Sequence, residues 1–112
     1  MKRRSIGEFE EIVLIVTALL EGDAYGVTIT NEIEKQTGRR VGFNTVHVTL
    51  QRLEEKGFIN SKMGGATTER GGRRKRYFTI TALGSRTLRE LKALRERLWK
   101  ELPAKVLGLT RS

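Results

Sequence analysis

Arg70, Arg73, Arg74, Lys75 and Arg76 put five cations into seven residues that contain no acid, with Gly71 and Gly72 among them. Like charges at that density repel one another, and a polyanion is the partner that relieves the repulsion. The glycines let such a loop come close to a phosphate backbone or a minor groove. A second set lies upstream: Asn44, Thr45, Val48, Gln51 and Arg52 share one side of a helix whose other side carries Val46, Leu50 and Leu53. Asn and Gln can bond adenine edges, Arg can bond guanine, and a Thr or Val methyl can touch the thymine methyl. Tyr25 and His47 flank this set. Each could reach a phosphate, and for each a structural packing role is the alternative.

The same inventory argues against an enzyme. The chain has 112 residues with one histidine and no cysteine. A disulfide framework and a thiolate metal site are excluded, and the composition fits a reducing cytoplasm. Nucleophilic catalysis would have to use His47, which has no partner motif nearby, and a metal would have to rely on carboxylates alone. No cofactor and no metal is therefore expected. With 22 Lys and Arg against 13 Asp and Glu, the net charge is +9. At 38% hydrophobic and 31% charged residues, the chain is too apolar for a disordered basic tail and too charged for a membrane protein. Lys2, Arg3 and Arg4 before the apolar run from Ile12 to Leu20 imitate a signal peptide. Glu8, Glu10 and Glu11 interrupt the approach, and the run is far shorter than the ~20 residues that span a bilayer. It reads as a buried helix of one cytoplasmic domain, with no membrane partner.

Helices and a hairpin must position the two polar sets. The first helix, from about Glu8 to Leu20, carries Phe9, Ile12, Val13, Ile15, Val16, Leu19 and Leu20 around more than one face. It is either central to its own domain or covered in part by another subunit. The second helix runs from about Val27 to Thr37, buries Ile29 and Ile33 on one face, and ends at Gly38. A connector with Arg39, Arg40 and Gly42 leads to the third helix, which runs from Phe43 or Asn44 to Lys56 and stops at Gly57. The period then changes to strand-like alternation at Phe58–Met63 and Arg76–Thr81, joined by a Gly-rich basic tip too long for a tight turn. Thr81 is a fitting N-cap for a last helix from Ala82 to Glu101, ~30 Å long. On it Leu88, Leu91, Leu94, Leu98 and Leu102 form one seam, the pattern of a helix lying against another helix.

The expected fold is mainly α with a small β-hairpin: a winged helix-turn-helix over residues 1–81 and a long C-terminal dimerisation helix and tail over residues 82–112. The dimer interface expected from the apolar seams comprises Phe9, Ile12, Leu88, Leu91, Leu94, Leu98 and Trp99.

The segments GEFEEIVLIVTALL, AYGVTITNEIEKQTG, NTVHVTLQRLEEKGFI and ERGGRRKRYFTITALG, in this order over about residues 6 to 100, resemble the PadR family of bacterial winged-helix transcription regulators. The resemblance implies a homodimer that binds a palindromic double-stranded DNA operator, as a repressor. It maps the recognition helix onto Asn44 through Lys56, the wing onto residues 64–75, and the start of a single dimerising helix onto Thr81 and Gly84. It also admits a small-molecule effector near the dimer interface, where Trp99 and the first helix could line a pocket. Trp99 reads first as a packing residue. Two positions depart from the family's pattern: His47 stands where a tyrosine is typical and Asn44 where glycine is frequent. The family's operator sequences are therefore not carried over. The competing reading is a winged-helix protein-interaction module, which has no need of so basic a wing; RNA or anionic membrane binding is the other alternative.

Overall fold

The computed structural model describes residues 5–64 and 74–109; the expectations for the tip of the wing, Arg70 and Arg73 among them, lie outside these residues. Three helices come first: α1 (Glu8–Leu19), α2 (Gly26–Thr37) and α3 (Phe43–Glu55). An antiparallel pair follows, β1 (Ile59–Met63) and β2 (Arg76–Ile80), and then α4 (Ala82–Lys100). The pairing runs from Ile59 opposite Ile80 to Met63 opposite Arg76. This is a mainly helical winged helix-turn-helix with a long final helix, as the residue pattern predicts.

Local chemistry explains the boundaries. At the start of α1 the Gly7 N–H donates to Glu10 Oε1 at 2.8 Å, and Glu8, Glu10 and Glu11 complement the helix dipole. At the end of α3, Gly57 takes φ 83°, its N–H donates to the Glu54 carbonyl, and the Phe58 N–H donates to that of Leu53. This Schellman closure requires a residue at ease with positive φ. It also occupies the Phe58 N–H, so β1 begins at Ile59, one residue later than the alternation predicts. At the far end Thr81 is withdrawn from β2 because it caps α4, its Oγ1 accepting from the Gly84 N–H at 3.0 Å.

Val13, Leu14, Ile29, Ile33, Val46, Leu50, Leu53, Phe58 and Ile59 form the buried core. α1 packs against α2, α3, β2 and α4, so it is central to its own domain. Phe9 and Ile12, expected at a subunit interface, lie partly buried against this core. The apolar surface that α1 leaves uncovered is instead at Ile15 and Leu19. Phe78 of β2 is buried in the core, as the alternation requires of one of Tyr77 and Phe78.

The fold is extended by α4. A chain of this length packed as a ball has a radius of gyration of about 13 Å; here it is 17.3 Å, with extents of 62 × 37 × 21 Å. The first half of α4 is anchored through Gly84, Leu83 and Leu88, whereas every residue from Lys92 to Glu101 is exposed. A long-range tie reaches the outer half: Arg95 donates from Nη1 to Glu11 Oε2 at 2.6 Å and from Nη2 to Glu11 Oε1 at 2.5 Å.

Gly84 is where the backbone of α4 comes down onto the Phe58 backbone and the Ile80 side chain. A Cβ there would run into the backbone carbonyl of Phe58 and the Ile80 side chain. A carbonyl held by its own strand and cap cannot move aside, so Gly84→Ala should destabilise the chain by about 1–3 kcal/mol. Denaturant unfolding checks this, with the exposed Arg86→Ala as a control expected within about 0.5 kcal/mol of the parent.

Candidate nucleic-acid interface

α3 is amphipathic in the required sense. Val46, Leu50 and Leu53 are fully buried, while Asn44, Thr45, His47, Val48, Gln51 and Arg52 are exposed. The outward face is continuous, because Asn44, Val48, Gln51 and Glu55 recur at steps of four, three and four. The connector before α3 is held by Val41, whose N–H donates to Glu34 Oε2 at 2.9 Å. Beyond it, Arg39 makes a 3.6 Å ion pair with Glu8 and Arg40 is exposed.

The wing is attached on the flank of this helix. The Phe78 N–H donates to the Ala24 carbonyl at 2.8 Å, which docks β2 against the residue before Tyr25, the N-cap of α2. Tyr25 and Tyr77 then meet edge to face, with centroids 5.5 Å apart. Lys75 Nζ donates to the Tyr25 hydroxyl at 3.2 Å and lies 4.3 Å from the ring centroid. Arg76 Nη1 donates to Ser61 Oγ, which donates to Glu54 Oε2 on the last turn of α3. Lys75 and Arg76 are therefore held by the fold, Arg74 is exposed, and Arg70 and Arg73 lie outside the described residues. Tyr25, Val27, Phe43, His47, Lys75 and Arg76 line a shallow cleft of about 230 Å³ where α2, α3 and the wing meet.

Phe43 was not among the residues singled out by sequence. Its ring rests on the bare Cα of Gly26, where a Cβ would come within 2.7 Å of Cε2, and it stacks with His47 at 6.3 Å between centroids and 8° between planes. His47 thus sits at the edge of the outward face, beside the cleft. The far end of α3 is tied to α1: Lys56 Nζ donates to both carboxylate oxygens of Glu10 at 2.9 Å and to the Ser5 carbonyl at 2.7 Å. Burial by itself would raise the Glu10 pKa. The Gly7 N–H, the Lys56 ammonium and the Arg52 guanidinium together outweigh burial and hold the carboxyl below its ordinary value. The charge of Arg52 thus acts on α1 as well as being exposed on α3.

A second surface lies along α1 and α4. Leu88 packs on the core and Leu91 is half-buried, whereas Leu94, Leu98 and Trp99 are exposed, together with Ile15 and Leu19 of α1. Between the two helices runs a groove of about 490 Å³ lined by Glu11, Ile15, Leu88, Lys92, Arg95 and Trp99, among others. Glu11, 7% exposed in an apolar stretch, was missed as a functional anchor. The available signal was that Glu11 stands three and four residues before Leu14 and Ile15 on an otherwise apolar helix, and a carboxylate buried there requires a partner. Among the described residues no helix is long and apolar enough to cross a membrane, and no group of three His, Cys, Asp or Glu side chains could hold a metal ion.

Residues 15–90 match the model of a family described as the transcriptional regulator PadR-like family. An uncharacterized protein of Lysinibacillus sphaericus is 38% identical over 80 residues, 70% of this chain and 71% of that one. A PadR family transcription regulator from Clostridium difficile has a similar structure, with a TM-score of 0.63 and 29% identity over 88% of this chain and 98% of that one. Bacillus subtilis PadR in complex with operator DNA shares the fold at a TM-score of 0.63 and 20% identity, covering 78% of this chain and 48% of that one.

The lowered pKa of Glu10 has a signed consequence. A carboxyl whose folded pKa is depressed contributes stability above its unfolded pKa and loses that contribution as pH falls through the folded value. Acidification from pH 7 through the carboxylate range should therefore cost the parent more stability than it costs Glu10→Gln. Thermal unfolding at a series of pH values compares the two, and parallel curves would contradict the assignment.

Proposed function

The chain belongs to the PadR-like family of transcriptional regulators, which are not enzymes, and from this membership and the geometry above we propose that two copies bind a palindromic double-stranded DNA operator, as a cytoplasmic repressor. The observation that carries the reading is the outward face of α3, with Asn44, Val48 and Gln51 exposed directly opposite a fully buried stripe, beside a cationic wing. A major groove accepts one such helix, and the amide side chains match adenine edges. Thr45 and Arg52 complete the base-reading set. Tyr25, His47, Lys75 and Arg76 border the cleft where a backbone phosphate would lie, with Arg74 and the outlying Arg70 and Arg73 extending the clamp along the wing. The DNA-bound state of Bacillus subtilis PadR, which has the same fold, supports the reading.

In this reading residues 1–81 form the DNA-binding part and residues 82–112 the dimerising part. The partner protomer covers Leu91, Leu94, Leu98 and Trp99, and with them Ile15 at the groove and the exposed Leu19. Phe9 and Ile12 support that surface from beneath. Exposed apolar side chains along the unsupported half of a helix are what a second helix would bury.

Selection of bound duplexes from a random pool at physiological salt tests the proposal. It should recover an inverted repeat with half-site centres one helical turn apart, about 34–36 Å. An isolated motif without an inverted partner would overturn the symmetric reading, and recovery of no motif would favour a protein-interaction module.

Salt titrations of single variants separate the roles. Arg74→Ala should weaken binding to all sequences and flatten the slope of log affinity against log salt by about 0.9 for the phosphate that the arginine would neutralise. Asn44→Ala or Gln51→Ala should cost about 1–3 kcal/mol on the selected operator and little on scrambled DNA. These positions are cleaner probes than Arg52, whose charge also serves Glu10. The reverse pattern would make the wing the sequence reader.

A further inference from the structure

Apolar surface is exposed on the side of the molecule where cations and amides concentrate. Val27 is 51% exposed, Phe43 49% and Val48 43%. Val48 sits between Asn44 and Gln51, four residues after one and three before the other, and so shares their outward face. Phe43 opens the helix on the adjoining flank. Its ring is held between the Gly26 backbone and the His47 ring, so it has little rotamer freedom left to lose on binding. Val27, Phe43 and His47 line the same cleft as Lys75 and Arg76.

Exposed apolar groups set beside cations and amides call for a ligand that is polyanionic yet carries isolated apolar groups among its polar edges. A DNA major groove has one such group, the 5-methyl of thymine. Resting on the DNA-binding reading above, we propose that the leading half of α3 selects thymine through this methyl, with Val48 and Phe43 as the two apolar contacts. Asn44 and Gln51, adjacent to Val48, hydrogen-bond adenine edges. An A·T pair would thus be recognised on both of its bases, the adenine by an amide and the thymine by its methyl.

The test uses the full chain and the duplex recovered by selection. Each thymine of a half-site is replaced in turn by deoxyuridine, which removes the methyl and keeps the pairing edge. At one or two positions affinity should fall about fourfold, the factor carried by one buried methyl group. At the position it contacts, truncation of each side chain, Val48→Ala or Phe43→Ala, should narrow the difference between the deoxyuridine and thymine duplexes, with unfolding curves confirming that both variants fold. If every deoxyuridine duplex binds as well as the parent while scrambled DNA is still rejected, methyl selection is overturned and the DNA-binding reading stands. If deoxyuridine weakens binding equally in the parent and both variants, the assignment to Val48 and Phe43 is overturned. Failure to distinguish any duplex from scrambled DNA would overturn both readings.

Discussion

The backbone carbonyl of Phe58 is the joint on which α3, the wing and the long helix α4 depend. It accepts from the Thr81 N–H at 3.0 Å, while the Phe58 N–H closes the end of α3. Thr81 adds a second bond by donating its hydroxyl to the Gly57 carbonyl at 2.7 Å, and the same oxygen accepts from Gly84 at the first turn of α4. Buried backbone polar groups must be paired, and here the pairing joins the ends of three elements within a few residues. Gly84 lets α4 come down onto that joint. No flexible linker separates the two proposed functional parts, so the direction of α4 is set by the same bonds that terminate α3.

Charge is arranged around α1 to the same end. Its neighbouring carboxylates diverge: Glu10 holds Lys56 at the end of α3, and Glu11 holds Arg95 far along α4. These contacts join residues 46 and 84 positions apart. Glu11 is nearly buried, whereas the Arg95 side chain keeps 56% of its surface in solvent. Desolvation therefore falls mainly on the carboxylate, and the bidentate geometry offsets it. Glu54 contributes a third tie through Ser61 to Arg76. Several acids are thus engaged in holding elements together, and cations dominate the cleft and the wing.

Among the described residues, the exposed apolar groups of α3 and of α4 have different settings. On α3, Val48 and Phe43 lie among amides and beside cations, a setting suited to a groove that is mostly polar. On α4, Leu94, Leu98 and Trp99 follow one another along a helix with no core of its own beneath it, and Trp99 lines the groove that Ile15 of α1 also borders. That setting suits another helix. The elongation of the molecule comes from that half of α4, which runs past the packed core with its side chains exposed.

Periodicity and glycine placement made most of the architecture legible from the amino-acid order. The three-helix run, the strand pair, the Gly57 stop, the Thr81 cap and the buried stripe Val46, Leu50 and Leu53 are all local patterns, and local patterns survive being read one residue after another. The outward set Asn44, Thr45, Val48, Gln51 and Arg52 was legible for the same reason, since a helix converts spacing into a face. Tertiary structure alone decided which apolar residues of α1 stay exposed, because Phe9 and Ile12 differ from Ile15 and Leu19 only in what packs beside them. It alone paired Glu11 with Arg95, brought Lys75 onto Tyr25, and seated Phe43 on Gly26. Each of these joins residues distant in sequence through the angle at which two elements cross, and that angle is fixed by the packed core and the Phe58 joint rather than by any neighbouring residues in the chain.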